Sequence, residues 1–263
     1  MRNIMIASDL SDRSEIALKR AAELAVRLDS TLTVLHVVEN VKSASSNGET
    51  KLRGNLEKAL ELFLDGRALE YQIFVKTGDF VASTNDVAQQ TNAGILVVGA
   101  RERRVFLDEF RETTLERLLR ILKLPVLMAV TRDIRDYANI LGAVGLSRNC
   151  AAAIRHGRKI APAAKFTLFH AHEVSFRRAS ELDYADWKAR SLLPPNLPDP
   201  IFVEASAEDA IHDLMEQNNY DLITVGANSG TSARQFFLGS LTSTLARKPP
   251  CDLLIARRSS EKR

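Results

Sequence analysis

Ala93-Gly-Ile-Leu-Val-Val-Gly-Ala100 and Tyr220-Asp-Leu-Ile-Thr-Val-Gly-Ala227 are one phrase written twice, 127 positions apart (93 to 220). Each is a short apolar run with no polar alternation, the pattern of a strand buried on both faces, and each stops at Val-Gly-Ala. Downstream the register holds: Thr113 falls on Ser240, and Leu124-Pro-Val-Leu-Met128 on Cys251-Asp-Leu-Leu-Ile255. Upstream it widens to 134 between Thr33-Val-Leu-His36 and Thr167-Leu-Phe-His170, and to 136 between Ile4-Met-Ile-Ala-Ser-Asp9 and Ile140-Leu-Gly-Ala-Val-Gly145. A register that slips only in its middle is a tandem duplication with insertions in middle loops. The expected domains are residues 1–131 and 138–258, joined near Arg132 to Tyr137.

Within the first repeat, apolar runs at 3–7, 31–38, 71–75, 94–98 and 126–130 read as strands. Between the first two, Ala17, Ala21, Leu24, Ala25 and Leu28 recur at helical spacing, with Glu15, Lys19, Arg20, Glu23 and Arg27 on the other face. Asp12 with Glu15 reads as a capping box for that helix. Thr113 with Glu116 reads as another, opening a helix through Leu115, Leu118, Leu119 and Leu122 that stops before Pro125. Alternating strands and helices with short connections imply right-handed crossovers and a parallel sheet covered on both faces. Lys42 to Thr50, rich in Ser, Asn and Gly, reads as a loop, as does Ser191 to Pro200 with its four prolines.

Composition narrows the function classes. Of 263 residues 45% are hydrophobic and 26% charged, which excludes disorder and low complexity as the main state. A net charge of +3 from interspersed signs gives no basis for a nucleic-acid or membrane partner. No apolar run approaches the roughly eighteen residues of a membrane span. Acidic residues within the first nine or so positions argue against a secretory signal, so the expected compartment is the cytoplasm. Cys150 and Cys251 alone make neither a disulfide framework nor a metal cluster, and read as buried thiols.

In an open parallel sheet, ligands sit beyond the carboxyl ends of the strands, where a glycine turn into a helix offers backbone N–H groups to an anion. In the second repeat, Gly226-Ala-Asn-Ser-Gly-Thr-Ser-Ala-Arg-Gln-Phe-Phe-Leu-Gly-Ser240 fits that requirement, with Gly239-Ser240 opening a helix. On this loop, on Asp9-Leu-Ser11, Leu35-His-Val37 and the Pro125-Val-Leu and Cys251-Asp-Leu-Leu strands, the chain resembles the universal stress protein family in its tandem form. The resemblance implies an α/β fold of two adenine nucleotide alpha hydrolase-like, Rossmann-like domains. Each is a five-stranded parallel sheet with helices on both faces, and the two form a pseudo-dimer within one chain through their last strands. It implies ATP as the ligand, with Mg2+ arriving only on the nucleotide, and a homodimer as the further assembly. In domain 2 the nucleotide residues would be Gly226, Ser229, Gly230, Gly239, Ser240 and Leu241, with the Ala171 main chain at the base. In domain 1 they would be Asp9, Ser11, Val37, Gly99 and Thr113.

Departures from the family pattern divide the two repeats. Domain 1 has Glu102 and Glu112 where the loop needs glycines. A carboxylate about 4 Å from a phosphate repels it by roughly 4 kcal/mol, so this domain is expected to be closed to triphosphate, with Glu112 serving the helix start as an internal anion. Domain 2 keeps most of its glycines but has Gly145 in place of Asp9, the acid that the resemblance sets at the adenosine end; losing that bond costs about 1–3 kcal/mol. Arg101, Arg103 and Arg104, interleaved with Glu102, Asp108 and Glu109, read as a salt-bridged loop, and His36 and His170 as structural histidines. No nucleophile-base pair or metal cluster stands out, so no catalytic residue is assigned and no enzyme is expected. Three classes remain: a non-catalytic nucleotide-responsive stress protein, an interaction protein that has lost its nucleotide and binds unidentified protein partners, and, last, a nucleotide-hydrolysing enzyme.

Overall fold

The computed structural model describes residues 3–39, 46–100, 113–172, 177–194, 196–227 and 239–257. The chain divides into two compact units, Met1–Arg135 and Asp136–Arg263. In unit 1 the order is β1 (Asn3–Ser8), α1 (Asp12–Arg27), β2 (Thr31–Val38), α2 (Ser46–Leu64), β3 (Tyr71–Thr77), α3 (Phe80–Gln90), β4 (Ile95–Gly99), α4 (Thr114–Ile121) and β5 (Val126–Ala129). Unit 2 repeats it as β6 (Asn139–Ala143), α5 (Arg148–Ile160), β7 (Lys165–His172), α6 (Arg177–Arg190), β8 (Ile201–Glu204), α7 (Ala207–Gln217), β9 (Leu222–Gly226), α8 (Ser240–Arg247) and β10 (Asp252–Ala256).

The strands of unit 1 lie in the order β3-β2-β1-β4-β5, and those of unit 2 in the order β8-β7-β6-β9-β10. Every pairing within each unit is parallel. The fold class expected from the repeats is therefore the one observed. Ile4, Met5, Ile6, Leu32, Leu35, Ile95, Leu96 and Val97 are wholly buried, as strands covered on both faces require. The chain steps outward from β1 to β3 and then crosses back to β4, so the strand order reverses between β1 and β4, and between β6 and β9. Those two places are the crevices where this architecture binds ligands.

Two local readings are corrected. The cap of α1 is Ser11 rather than Asp12: the Ser11 hydroxyl accepts the Ser14 amide at 3.3 Å, leaving Asp12 as the first helical residue. The stretch Lys42 to Thr50 is not loop throughout, because α2 begins at Ser46. Leu56, Leu60 and Leu64, four residues apart and all buried, anchor that helix, and tertiary packing carries it back through residues of poor helix propensity. Residues 42–45 lie outside the described residues. In unit 2 the Tyr137 hydroxyl donates to the buried Asp252 carboxylate at 2.6 Å, tying the start of the unit to the start of β10.

Candidate functional site

Each crevice is entered by the same turn. After β1 the chain passes through Leu10 in the left-handed region (φ 62), and after β6 through Leu146 (φ 52). Such a conformation costs a non-glycine residue about 1–2 kcal/mol. It reverses the chain within one residue, so that Ser11 or Ser147 arrives as the N-cap of the next helix. In unit 1 the Asp9 carboxylate accepts the Ser11 amide at 3.1 Å and the Ser11 hydroxyl at 2.5 Å. Partial burial pushes the Asp9 carboxyl up, but the bonds from Ser11 and from Ser14 outweigh it and hold the group below its ordinary value. Asp9 and Ser11 are thus brought together as a turn, each engaged by the other. In unit 2 Gly145 carries no carboxylate, and its amide and the Ser147 hydroxyl donate instead to the Cys150 sulfur, at 3.4 and 3.2 Å.

The histidines of the two repeats do one structural job. His36 donates from Nδ1 to the Ser8 carbonyl at 2.8 Å, and His170 to the Val144 carbonyl at 2.6 Å, each joining the second strand of its unit to the end of the first. Val37 and Ala171 follow them, half-buried at the carboxyl ends of β2 and β7. Trp187 was not singled out by the sequence. Its indole N–H donates to the Ser147 carbonyl at 3.0 Å, pinning α6 onto the entry turn of unit 2.

Gly99 and Gly226 have a packing role that sequence alone does not reveal. A Cβ on Gly99 would stand 2.7 Å from the Arg13 carbonyl oxygen, and one on Gly226 would stand 2.7 Å from the Cys150 amide nitrogen. The first turns of α1 and α5 rest directly on these glycines, and backbone cannot step aside as a flexible side chain can. Gly226→Ala is therefore expected to destabilise unit 2 by about 2 kcal/mol. Gly54→Ala, inside α2 with nothing within 4 Å, should stabilise by about 0.5–1 kcal/mol. Urea unfolding of both variants checks the pair, and equal small effects would remove the packing role.

The starts of α4 and α8 differ in a way that matters for anions. Thr113 caps α4 through a complete capping box: its hydroxyl accepts the Glu116 amide at 3.2 Å, and its own amide donates to the Glu116 carboxylate at 2.7 Å. The helix start of unit 1 is thus already served by an internal anion, Glu116. Glu112, Glu102 and the Arg101, Arg103 and Arg104 loop lie outside the described residues. Gly239 caps α8 with no side-chain hydrogen bond, and no acidic residue stands in its first turn. Ser240 is exposed there, with Gly239 and Leu241 half-buried beside it. The Thr242 hydroxyl, one residue on, donates to the Gly226 carbonyl at 2.9 Å. The first turns of α5 and α8 therefore converge on Gly226. Ser229 and Gly230 lie outside the described residues.

Both cysteines are buried as expected, and burial with the nearby Asp252 and Asp221 carboxylates pushes the Cys251 thiol up to about 12. Among the described residues no group of three His, Cys, Asp or Glu could hold a metal, and no helix is long and apolar enough to cross a membrane.

Comparison with known proteins agrees with this architecture. The sequence model of the Universal stress protein family matches residues 1–129 and again residues 136–257. A universal stress protein A homolog of Haemophilus influenzae is 27% identical over 144 residues, spanning 50% of this chain and 98% of that protein. A universal stress protein of Archaeoglobus fulgidus superposes with a TM-score of 0.72 at 16% identity, over 97% of this chain and 98% of its own. One from Pseudomonas aeruginosa UCBPP-PA14, described as putative, gives 0.67 at 20% identity over 97% and 93%.

Proposed function

The chain belongs to the universal stress protein family, and from that premise we propose that it is a non-catalytic, nucleotide-responsive member in which unit 2 binds ATP and unit 1 does not. One observation carries the reading: the start of α8 has no side-chain cap and no acid, whereas the start of α4 is filled by Glu116. Free N–H groups and the positive end of the helix dipole favour a phosphate at α8. At α4 the amide and hydroxyl of the cap residue Thr113 already hold the Glu116 carboxylate. Mg2+ enters on the phosphates.

Gly145 favours a second reading, an interaction protein that has lost the nucleotide, because the acceptor supplied by Asp9 in unit 1 is missing. Calorimetric titration of the full chain with ATP and Mg2+ separates the two. Saturable heat, with a ligand-dependent rise in the melting transition worth about 2.7 kcal/mol at a hundredfold excess over Kd, is the expected result. Neither heat nor stabilisation at millimolar ATP would favour the interaction protein, and steady release of phosphate would overturn the non-catalytic assignment.

A further inference from the structure

Along the entry turn and the first turn of α1, the acids of unit 1 are neutral or basic at the matching positions of unit 2. In the 136-residue register Asp9 becomes Gly145, Asp12 becomes Arg148 and Glu15 becomes Ala151. Nor does the first turn of α8 carry an acid where α4 has Glu116. Gly145 and Arg148 are both exposed, and Arg148 makes no ion pair with any described residue. Packing does not force the loss of the carboxylate. A Cβ on Gly145 would stand 3.4 Å from the Cys150 sulfur, within ordinary contact, so the turn has room for a side chain to begin there.

We propose that unit 2 selects an adenine nucleotide carrying a second phosphate, a monoester on the ribose 2′ or 3′ oxygen, with Arg148 as the residue that determines this specificity. The proposal rests on the nucleotide reading above and extends it: ATP is held at its 5′ phosphates alone, and a phosphate on the ribose adds a second anchor. A carboxylate placed like that of Asp9 accepts hydrogen bonds from ribose hydroxyls and repels a phosphate there. Glycine with an arginine three residues on reverses both preferences, because guanidinium donates in a planar fork that matches phosphate oxygens. The same exchange of acid for arginine separates dinucleotide sites for plain ribose from those for phosphorylated ribose. The first turn of α5, which carries Arg148, and the first turn of α8 both rest on Gly226. A ligand anionic at both ends therefore meets both turns.

The test is titration of the full chain with AMP, adenosine 2′,5′-bisphosphate and adenosine 3′,5′-bisphosphate. One bisphosphate is expected to bind at least about tenfold more tightly than AMP. In Arg148→Ala that ratio should fall close to one, and in Gly145→Asp it should turn toward AMP. Lys159→Ala, which removes an equal charge at the far end of α5, should leave the ratio as it is. Binding of AMP with no preference for either bisphosphate overturns the proposal and leaves the nucleotide reading standing. So does a preference that survives Arg148→Ala, or one that Lys159→Ala abolishes equally. No binding of any of the three overturns the proposal, and the ATP titration run beside them decides the nucleotide reading on its own.

Discussion

Glutamate in place of Gly239 is expected to lower the affinity of unit 2 for ATP by roughly several hundredfold while leaving the protein folded. A carboxylate at that position stands about 4 Å from a phosphate held by the first turn of α8, and at a surface-like dielectric the repulsion is roughly 4 kcal/mol. In the 127-residue register the substitution gives unit 2 the residue that unit 1 carries at Glu112. Gly239 has φ −57 and ψ 157, a conformation open to any residue, so no backbone strain accompanies the change. An acid at a helix start interacts favourably with the dipole by about 0.3–1 kcal/mol. The variant should therefore melt no lower than the parent and bind far worse. Calorimetry with ATP beside a thermal melt checks both halves, and retention of binding within tenfold would place the phosphate elsewhere.

Acid should destabilise unit 2 through one half-buried imidazole. His156 lies on α5 with its Nδ1 buried and without a hydrogen-bond partner. Burial, with the Lys159 and Arg155 cations beside it, pushes its pKa down from 6.5 to about 4. Between those two values the unfolded chain takes up a proton that the folded chain refuses, so stability falls as pH drops through the window and is fully retained above it. The loss by the bottom of the window is about 3 kcal/mol. Denaturant unfolding of wild type and His156→Gln between pH 4 and 7 measures it. The variant should lose much of the slope, and identical slopes would show that other groups govern the acid response. In the 136-residue register the same position in unit 1 is Arg20, whose guanidinium donates to the Arg135 carbonyl at 2.6 Å. Unit 1 has no counterpart of this titration there.

The architecture was legible because it is written in periodicity. The repeated Val-Gly-Ala phrase and the apolar runs placed every strand of the first repeat within two residues, since a strand buried on both faces leaves an unbroken apolar signature. The site was legible only in part. Asp9 and Ser11 were recognised as a pair, but their mutual hydrogen bonding depends on the left-handed turn at Leu10, and leucine gives no local signal for that conformation. The roles of Gly99 and Gly226 depend on helices that begin far away in sequence, so the residues that crowd them cannot be read from the glycine itself. The capping box of Thr113 with Glu116 was legible and is present, while the anion expected at Glu112 lies outside the described residues. Trp187 carried no motif, and its role follows from the fold that brings α6 over Ser147.

The left-handed leucines at 10 and 146 have a consequence for how such a chain diversifies. A duplicated gene that had stopped using one of its crevices would be free to relax a costly bend by substituting glycine or asparagine, yet both halves retain leucine there. The bend launches a helix over the sheet whatever the crevice contains, so it is kept as scaffold while the side chains around it are exchanged. One inherited hinge can then carry two unlike chemistries, acidic in the first copy and basic in the second, and the ligand repertoire can drift without the fold being renegotiated.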